Sequence, residues 1–215
     1  MTIPKRLHMI WLGGPRLPSY GADESWPLLL ESDWDIKVWG DDDDWPVSAK
    51  VRDVLDAAEA FAPKGDAVRW RTDVLRLALL HTYGGVYLDL DAVPLRSINP
   101  LVGDRDAWLA ESPNKPGLPT NAAMGFPAKH RLLDEMLESV DVRASKYAGE
   151  RTAAAVGGWW LKALLPRYRH VELLPWWLFA SRSIADRRTG KPGDARNSEF
   201  GYTAHLYENT ARKER

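Results

Sequence analysis

Two aspartates separated by a single residue are the clearest candidates for chemistry in this sequence. Asp89 and Asp91 come at the end of an apolar run that starts at Val86 and is typical of a buried strand. Alternation along a strand places Tyr87, Asp89 and Asp91 on one face. Two carboxylates so close together repel each other, and a divalent cation between or beside them relieves that repulsion. The alternative is that the pair caps the turn after the strand.

A second candidate pair lies on a segment with helical spacing. Asp73 and Arg76 are three positions apart, so their side chains share a face of a helix. The segment from Arg69 to Tyr83 is apolar all round, which predicts a buried helix, and a buried arginine needs a fixed anionic partner. The pair can present a charged fork to a ligand, or serve only to stabilise the start of the helix.

Aromatic residues offer a further kind of contact. Trp11 precedes Gly13 at the end of an apolar run, where its ring can stack on a flat base or fill the core. The neighbours Trp159-Trp160 and Trp176-Trp177 cannot both face inward, so one of each pair is expected at a surface or cleft. The run Asp41–Asp44 is typical of a solvated acidic turn, with a metal site as the alternative.

The elements that must position these residues alternate along most of the chain. Strands are predicted over 7–13, 35–39, 86–91, 107–110, 121–126, 171–174 and 202–207, and helices over 47–61, 69–83, 128–140 and 152–165. Polar loops are predicted over 113–119 and 185–199. The alternation predicts an α/β fold around a mostly parallel sheet, with ligands at the strand carboxyl ends. Without an internal repeat or a linker, residues 1–215 are expected to form one domain.

Composition excludes several classes of function. A formal charge of -1 over 215 residues supplies no field that attracts nucleic acid or an anionic membrane. The absence of cysteine excludes thiolate nucleophiles and Cys-ligated metals, so a metal must be held by Asp, Glu, Asn or His. No stretch approaches 18 apolar residues and the start lacks the apolar region of a signal peptide. We therefore expect a cytoplasmic protein with no stable membrane insertion and no nucleic-acid partner.

Three segments together resemble a known family. Ile3–Gly14 ends in Ile-Trp-Leu-Gly-Gly, Thr72–Arg76 reads Thr-Asp-Val-Leu-Arg, and Tyr83–Leu95 contains Gly-Gly-Val-Tyr-Leu-Asp-Leu-Asp. In order and spacing they are similar to the sugar-binding region of DXD-containing glycosyltransferases, which include yeast initiation mannosyltransferases, capsular polysaccharide transferases and the glucosylating domains of large clostridial toxins. The resemblance implies a GT-A fold, a Rossmann-like nucleotide-binding α/β/α sandwich, and hexosyltransferase activity.

The resemblance also implies a reaction and a set of site residues. The reaction is a retaining transfer of a sugar from a nucleotide diphosphate sugar, most simply a UDP-sugar, with Mn²⁺ or Mg²⁺ bridging the diphosphate. In the implied roles, Trp11 stacks on the base, Asp73 and Arg76 hold hydroxyls of the donor sugar, Asp89 contacts the ribose and the water shell of the metal, and Asp91 ligates the metal. The implied catalytic residues are Asp73, Arg76, Asp89 and Asp91, and Tyr87 and Asn121 complete the donor-binding set.

The end of the chain departs from the family pattern. Family members complete the metal site with a late histidine or acidic segment followed by Ser-Trp, and the Ser-Trp is missing here. The segment from 203 to 210 offers His205 as the third ligand, with Glu208 or Asn209 as alternatives. Arg212 and Lys213 are expected to close over the diphosphate. The acceptor is left open among glycans, proteins and small molecules.

Two other functions compete with this interpretation. Asp89-Leu-Asp91-Ala-Val93 also fits the nucleophile motif of haloacid-dehalogenase-like phosphatases, which predicts a covalent aspartyl phosphate at Asp89. Against it, 85 residues precede Val86, whereas that fold opens with this strand, and no later lysine with paired acids follows. The other alternative is a module that binds sugar nucleotides, or glycans, without catalysis.

Overall fold

The computed structural model describes residues 2–14, 22–150, 152–180 and 193–205. Within these ranges the strands are β1 Arg6–Ile10, β2 Asp35–Trp39, β3 Gly85–Leu88, β4 Ala92–Pro94, β5 Trp108–Ser112, β6 Lys115–Phe126, β7 Glu172–Leu174 and β8 Thr203–His205. The helices are α1 Ala22–Ser25, α2 Ala49–Asp56, α3 Ala58–Phe61, α4 Ala67–Tyr83, α5 Arg131–Glu138, α6 Val140–Lys146, α7 Thr152–Ala155, α8 Gly158–Leu164 and α9 Ala195–Phe200. In this part of the chain, no helix combines the length and apolarity needed to cross a bilayer.

A six-stranded sheet organises the described chain, in the order β2-β1-β3-β6-β5-β7. The pairings of β1 with β2, β1 with β3 and β5 with β7 are parallel, and β6 runs antiparallel to both of its neighbours. The expected α/β fold around a mostly parallel sheet is thereby confirmed. A separate two-stranded sheet pairs β4 with β8, and in its register Ala92 lies opposite His205.

Helix α4 is largely buried and carries the Thr72–Arg76 motif. Every residue from 73 to 80 is buried, as the apolar surface of the segment predicts. The helix ends at Gly84, with φ +65°, and Gly85 follows with φ +107°. A Cβ at Gly85 would lie 2.5 Å from the carbonyl oxygen of Arg6, so only glycine lets β3 lie beside β1.

Apolar side chains pack on both faces of the sheet. In β3, Val86 and Leu88 belong to one buried cluster, which also holds Trp26 and Trp108. Tyr87 belongs to the other cluster, on the side of α4. The predicted alternation is therefore correct up to Leu88, but the strand ends there and not at Asp91. Asp89 and Asp91 lie in the turn between β3 and β4, which the hydrogen bond from Ala92 N to Asp89 O closes.

Three predicted helices are shorter or broken in the structure. The segment 47–61 breaks at Ala57 into α2 and α3. The segment 128–140 becomes helical only at Arg131, because the imidazole of His130 accepts a hydrogen bond from Leu132 N and caps the helix. The segment 152–165 is interrupted before Gly158, where a Cβ would lie 2.2 Å from the carbonyl oxygen of Pro119.

Two predicted loops contain regular structure. The prediction of a loop over 113–119 is wrong because β6 starts at Lys115 and pairs with β5 as a hairpin. The prolines of β6 are tolerated because β6 pairs with β3 only from Ala123 onward. Before Ala123, none of the described strands pairs with this edge of β6. The prediction of a loop over 185–199 is wrong from Ala195, where α9 begins with Asp194 as its cap; residues 185–192 lie outside the described residues.

Candidate functional site

A cavity of about 650 Å³ opens beside the carboxyl ends of β1 and β3. Its volume is within the range of small-molecule sites in proteins. Eight of the site residues predicted from the sequence line it, namely Trp11, Asp73, Arg76, Tyr87, Asp89, Asp91, Asn121 and His205. The structure thus brings together side chains from both ends of the chain.

Arg76 is the centre of an ion-pair network at the floor of the cavity. Its Nη2 lies 3.1 Å from Asp73 Oδ1 and its Nη1 lies 3.0 Å from Asp89 Oδ1. Nη1 also donates to the carbonyl oxygen of Asn121 at 2.6 Å. The guanidinium is 4.5 Å from the ring centre of Tyr87, a cation–π distance. These contacts fix α4, the turn after β3 and strand β6 relative to one another.

The two carboxylates bound by Arg76 are oriented by further hydrogen bonds. Asn121 Nδ2 donates to Asp73 Oδ1 at 2.9 Å, and Tyr87 OH donates to Asp89 Oδ1 at 3.0 Å. Asn121 therefore serves the site by holding Asp73 as well as by lining the cavity. Asp73 and Asp89 are left with few rotamers, so the floor of the cavity is preorganised.

The pairing of β4 with β8 brings His205 to the two aspartates of the motif. His205 Nε2 lies 3.3 Å from Asp89 Oδ2 and 3.3 Å from Asp91 Oδ1. Because Ala92 is opposite His205 in the register, the residue just before Ala92 must lie close to the imidazole. Each of the three side chains offers one potential ligand atom, and these three atoms lie within 4.8 Å of one another.

The pKa values in this cluster reflect ion pairing that outweighs burial. Burial disfavours the charge on Arg76, yet Tyr87 and Asp89 raise its pKa above the ordinary value. Burial also opposes ionisation of Asp89, but the guanidinium of Arg76 holds the pKa of this carboxyl below its usual range. Burial raises the pKa of Tyr87 far above that of a free phenol, so Tyr87 is a neutral hydrogen-bond donor.

The imidazole of His205 responds to the same carboxylates. Burial opposes its protonation, but Asp91 and then Asp89 raise its pKa above the ordinary value. A protonated His205 therefore donates to the carboxylates and supplies positive charge between them. A metal ion would take over that position, since histidine ligates metals in its neutral form.

The charge balance of the cavity floor fits a divalent cation. Asp73, Asp89 and Asp91 carry three negative charges and Arg76 carries one positive charge, which leaves two negative charges when His205 is neutral. Carboxylate oxygens with one imidazole suit Mn²⁺, and Mg²⁺ accepts the carboxylates with water in its remaining positions. Asp89, Asp91 and His205 are the residues that would hold the ion.

Trp11 lines the cavity and follows β1, which β3 and β6 separate from β5 in the sheet. It is half-buried, and its indole Nε1 donates to the carbonyl oxygen of Gly14 at 2.6 Å. This bond fixes the indole ring at the cavity wall. Of the two alternatives predicted for Trp11, the position favours a ring that borders a cleft over a ring that fills the core. The acidic run Asp41–Asp44 lies outside the cavity, where Asp43 pairs with Lys37 and accepts from Gly40 N.

Several lining residues were not predicted from the sequence. Asp66, Arg69, Glu111, Ser112, Asn114, Thr120 and Trp176 also line the cavity. The two tryptophan pairs were the available signal: Trp159 is 45% exposed whereas Trp160 is buried, and Trp176 reaches the cavity. The hairpin residues gave no signal because they lie in or beside the segment 113–119, which was predicted as a loop. Glu208, Asn209, Arg212 and Lys213 lie outside the described residues.

Comparisons with known proteins agree with the geometry of the site. Residues 30–113 match the family model of the glycosyltransferase sugar-binding region containing the DXD motif. Over 150 residues the chain is 26% identical to inositol phosphoceramide mannosyltransferase 3 of Schizosaccharomyces pombe, a match that covers 68% of this chain and 39% of that protein. The chain thus spans about two fifths of the length of this curated relative.

Solved structures share the fold at low sequence identity. The PaToxG glycosyltransferase superposes with a TM-score of 0.59 at 14% identity, over 78% of this chain and 70% of that chain. The UDP-bound glycosyltransferase domain of the YGT toxin gives a TM-score of 0.52 at 10% identity, over 80% of this chain and 79% of that chain. These likenesses confirm the expected GT-A type of fold, and the matches support neither the phosphatase nor the non-catalytic alternative. The expected resemblance is confirmed: residues 30–113 of this chain are similar to the sugar-binding region of DXD-containing glycosyltransferases.

Proposed function

We propose that this chain is a metal-dependent, retaining glycosyltransferase that transfers a hexose from a UDP-sugar to an acceptor hydroxyl, with residues 1–215 as one GT-A domain. The observation that carries the proposal is the convergence of Asp89, Asp91 and His205 within 4.8 Å, directly beside the Asp73–Arg76 pair. A metal site next to a charged fork in one cavity suits a ligand that carries both a diphosphate and a sugar.

The base, the diphosphate and the sugar of the donor are each assigned to different residues of the cavity. Trp11 stacks on the uracil, and the diphosphate lies beside Asp89 and Asp91. A bound Mn²⁺ or Mg²⁺ would neutralise the charge that develops on the leaving diphosphate. Asp73 and Arg76 bind hydroxyls of the sugar and fix the anomeric carbon for attack. The choice of UDP is supported by the UDP named for the structurally similar toxin domain.

The transfer breaks the bond between the anomeric carbon and the diphosphate oxygen and forms a bond from that carbon to the acceptor oxygen. In a front-face reaction, the acceptor proton passes to the departing phosphate oxygen, so the protein need not supply a base. Arg76 and Asp73 hold the sugar while its positive charge develops, and the preorganised carboxylate of Asp73 stabilises that charge. Retention of configuration is carried over from the resemblance to the family.

Incubation with a panel of UDP-hexoses tests the proposal. We expect one of the UDP-hexoses to release UDP when Mn²⁺ is present. The release should be slow when the hexose is transferred to water and faster when a sugar acceptor is added. Proton NMR of the first-formed product should show the anomeric configuration of the donor. Release of inorganic phosphate with a covalent adduct on Asp89 would favour the phosphatase, and tight donor binding without any UDP release would favour the non-catalytic module.

A further inference from the structure

The cavity extends along the sheet edge beyond the residues assigned to the donor. In the strand order β1-β3-β6-β5-β7, Trp11 follows β1 and the paired aspartates follow β3. The remaining wall is formed by Ser112 and its neighbours in the β5–β6 hairpin and by Trp176, which follows β7. Trp11 and the paired aspartates thus lie at the β1 and β3 part of this edge, Asn121 of β6 lies beside them, and Ser112 and Trp176 lie farther along the edge.

The wall beyond the donor residues differs in its charges from the part of the cavity that those residues line. The described arginines that line the cavity are Arg69 and Arg76, and both belong to α4, while His205 lies beside the paired aspartates. On the hairpin and β7 side, the one charged residue among the described lining residues is Glu111. Its other polar residues are neutral, namely Ser112, Asn114, Thr120 and Asn121, and the last of these holds Asp73.

Two side chains on this wall have the chemistry of a carbohydrate contact. Trp176 is half-buried in a short 3-10 turn and lines the cavity, and an indole offers a flat apolar surface for packing. Glu111 Oε1 accepts a hydrogen bond from Gly117 N at 3.1 Å across the hairpin, which fixes the carboxylate. An ionised carboxylate has about four acceptor positions, so Glu111 keeps the capacity to bind hydroxyl groups.

We propose that Trp176, Glu111 and the neutral residues of the hairpin form an acceptor subsite for an uncharged sugar ring. This inference rests on the proposed function, because a donor held between Trp11 and Asp73 leaves this wall as the side from which the acceptor hydroxyl approaches. The apolar face of the sugar packs on Trp176, and its hydroxyls donate to Glu111. A phosphorylated acceptor meets the negative charge of Glu111 and no described cation on this wall.

Calorimetric titration in two stages tests the subsite. The first stage measures binding of UDP with Mn²⁺ to the wild-type chain and to the Trp176→Ala variant, and we expect equal affinities. The second stage titrates methyl α-glucoside, methyl α-mannoside, methyl β-galactoside and glucose 6-phosphate into the chain saturated with UDP and Mn²⁺. We expect one methyl glycoside to bind, and Trp176→Ala and Glu111→Gln each to weaken it by about tenfold.

The controls separate a lost contact from a damaged fold. Trp159→Ala removes a tryptophan that is 45% exposed and lies outside the cavity, so glycoside binding should be unchanged. Trp176→Phe retains an aromatic face and should bind the glycoside within about threefold of the wild type. If Trp176→Ala does not fold, the comparison of Trp176→Phe with Glu111→Gln carries the test.

The outcomes distinguish the two proposals. If the wild-type chain does not bind UDP with Mn²⁺, the proposed function fails and the subsite fails with it. If UDP binds but none of the methyl glycosides does, the donor site stands and the sugar subsite is wrong, as it would be for a protein acceptor. Tighter binding of glucose 6-phosphate than of every methyl glycoside, or full binding by both Trp176→Ala and Glu111→Gln, also overturns the subsite.

Discussion

The imidazole of His205 lies against the carboxylate of Asp89, with 3.3 Å between Nε2 and Oδ2, although 116 positions of sequence separate the two residues. The contact depends on the antiparallel pairing of β8 with β4. Strand β4 starts directly after the turn that holds Asp89 and Asp91. A short two-stranded sheet therefore completes the proposed metal site. Changes that weaken this pairing should weaken metal binding even when they lie outside the cavity.

Replacement of Asp91 by asparagine should abolish metal-dependent nucleotide binding. Asparagine has nearly the same shape but lacks the charge that attracts and ligates the cation. We expect the affinity for UDP in the presence of Mn²⁺ to fall by more than about tenfold in calorimetry. Asp42→Asn is the matched control, because Asp42 is exposed and lies outside the cavity. Equal UDP affinities of the two variants would remove Asp91 from the metal site.

Replacement of Trp11 by alanine should weaken binding of the nucleotide base. Stacking of a base on an aromatic ring contributes about 1–3 kcal/mol, so the dissociation constant for UDP should rise by roughly five-fold to more than a hundred-fold. Binding should remain dependent on Mn²⁺, since the metal ligands are untouched. Trp159→Ala serves as the tryptophan control outside the cavity. An unchanged UDP affinity in Trp11→Ala would assign Trp11 to the core alone.

Replacement of Arg76 by alanine should destabilise the fold as well as the site. Arg76 is 5% exposed, and its loss removes the buried guanidinium that pairs with both Asp73 and Asp89, at a cost of roughly 3–5 kcal/mol. Arg69→Ala on the same helix removes an exposed residue whose ion pair with Asp66 spans 3.9 Å, and should cost less than about 1 kcal/mol. Urea unfolding measures both values. Similar free energies of unfolding for the two variants would contradict the central place of Arg76 in the network.

The free energy of unfolding should fall as the pH is lowered below about 6.5, the pKa of an ordinary histidine. Burial lowers the pKa of His8 from 6.5 to about 4, although the hydrogen bond from its Nε2 to Gly84 O acts to raise it. In the neutral ring, Nδ1 accepts from Trp39 Nε1. The unfolded chain takes up the proton first, so stability is present above pH 6.5 and is lost as the pH falls towards 4. The loss for this one group is roughly 3 kcal/mol.

His8→Asn isolates the contribution of this histidine from that of other groups. Burial also lowers the pKa of His130 to about 4, which adds to the same loss, whereas the raised pKa of His205 acts in the opposite direction. The variant should be less stable than the wild type at pH 7, but its free energy of unfolding should decrease less between pH 6.5 and pH 4. Parallel pH profiles of the two proteins would show that His8 does not titrate in this range.

Local patterns were sufficient to predict much of the fold. The alternation in β2 and the apolar surface of α4 follow from their own residues, and both elements occur where they were expected. The hairpin was missed because prolines and Gly117 between 113 and 119 are typical of loops. They are accommodated in β6 because its first half pairs with β5 alone, a property of the sheet that no local pattern contains.

The sequence named eight residues that line the cavity, but it did not predict most of the contacts between them. Spacing alone placed Asp73 with Arg76, and Asp89 with Asp91. The role of Asn121 in holding Asp73 and the approach of His205 to the aspartates depend on pairings between distant strands. Such contacts are decided by tertiary packing, so the sequence pattern could nominate the residues without determining their partners.

The central claim is that this cavity binds a nucleotide through a divalent cation, and a thermal-shift measurement tests it most directly. The chain is heated with UDP, GDP, ADP or CMP, each with Mn²⁺ and each with a chelator. A ligand at 100 times its Kd stabilises the folded state by about 2.7 kcal/mol, which gives a clear rise in Tm. The account predicts this rise with UDP and Mn²⁺ together and not with UDP alone. An unchanged Tm with every nucleotide in the presence of Mn²⁺, or an equal rise with the chelator, would contradict it.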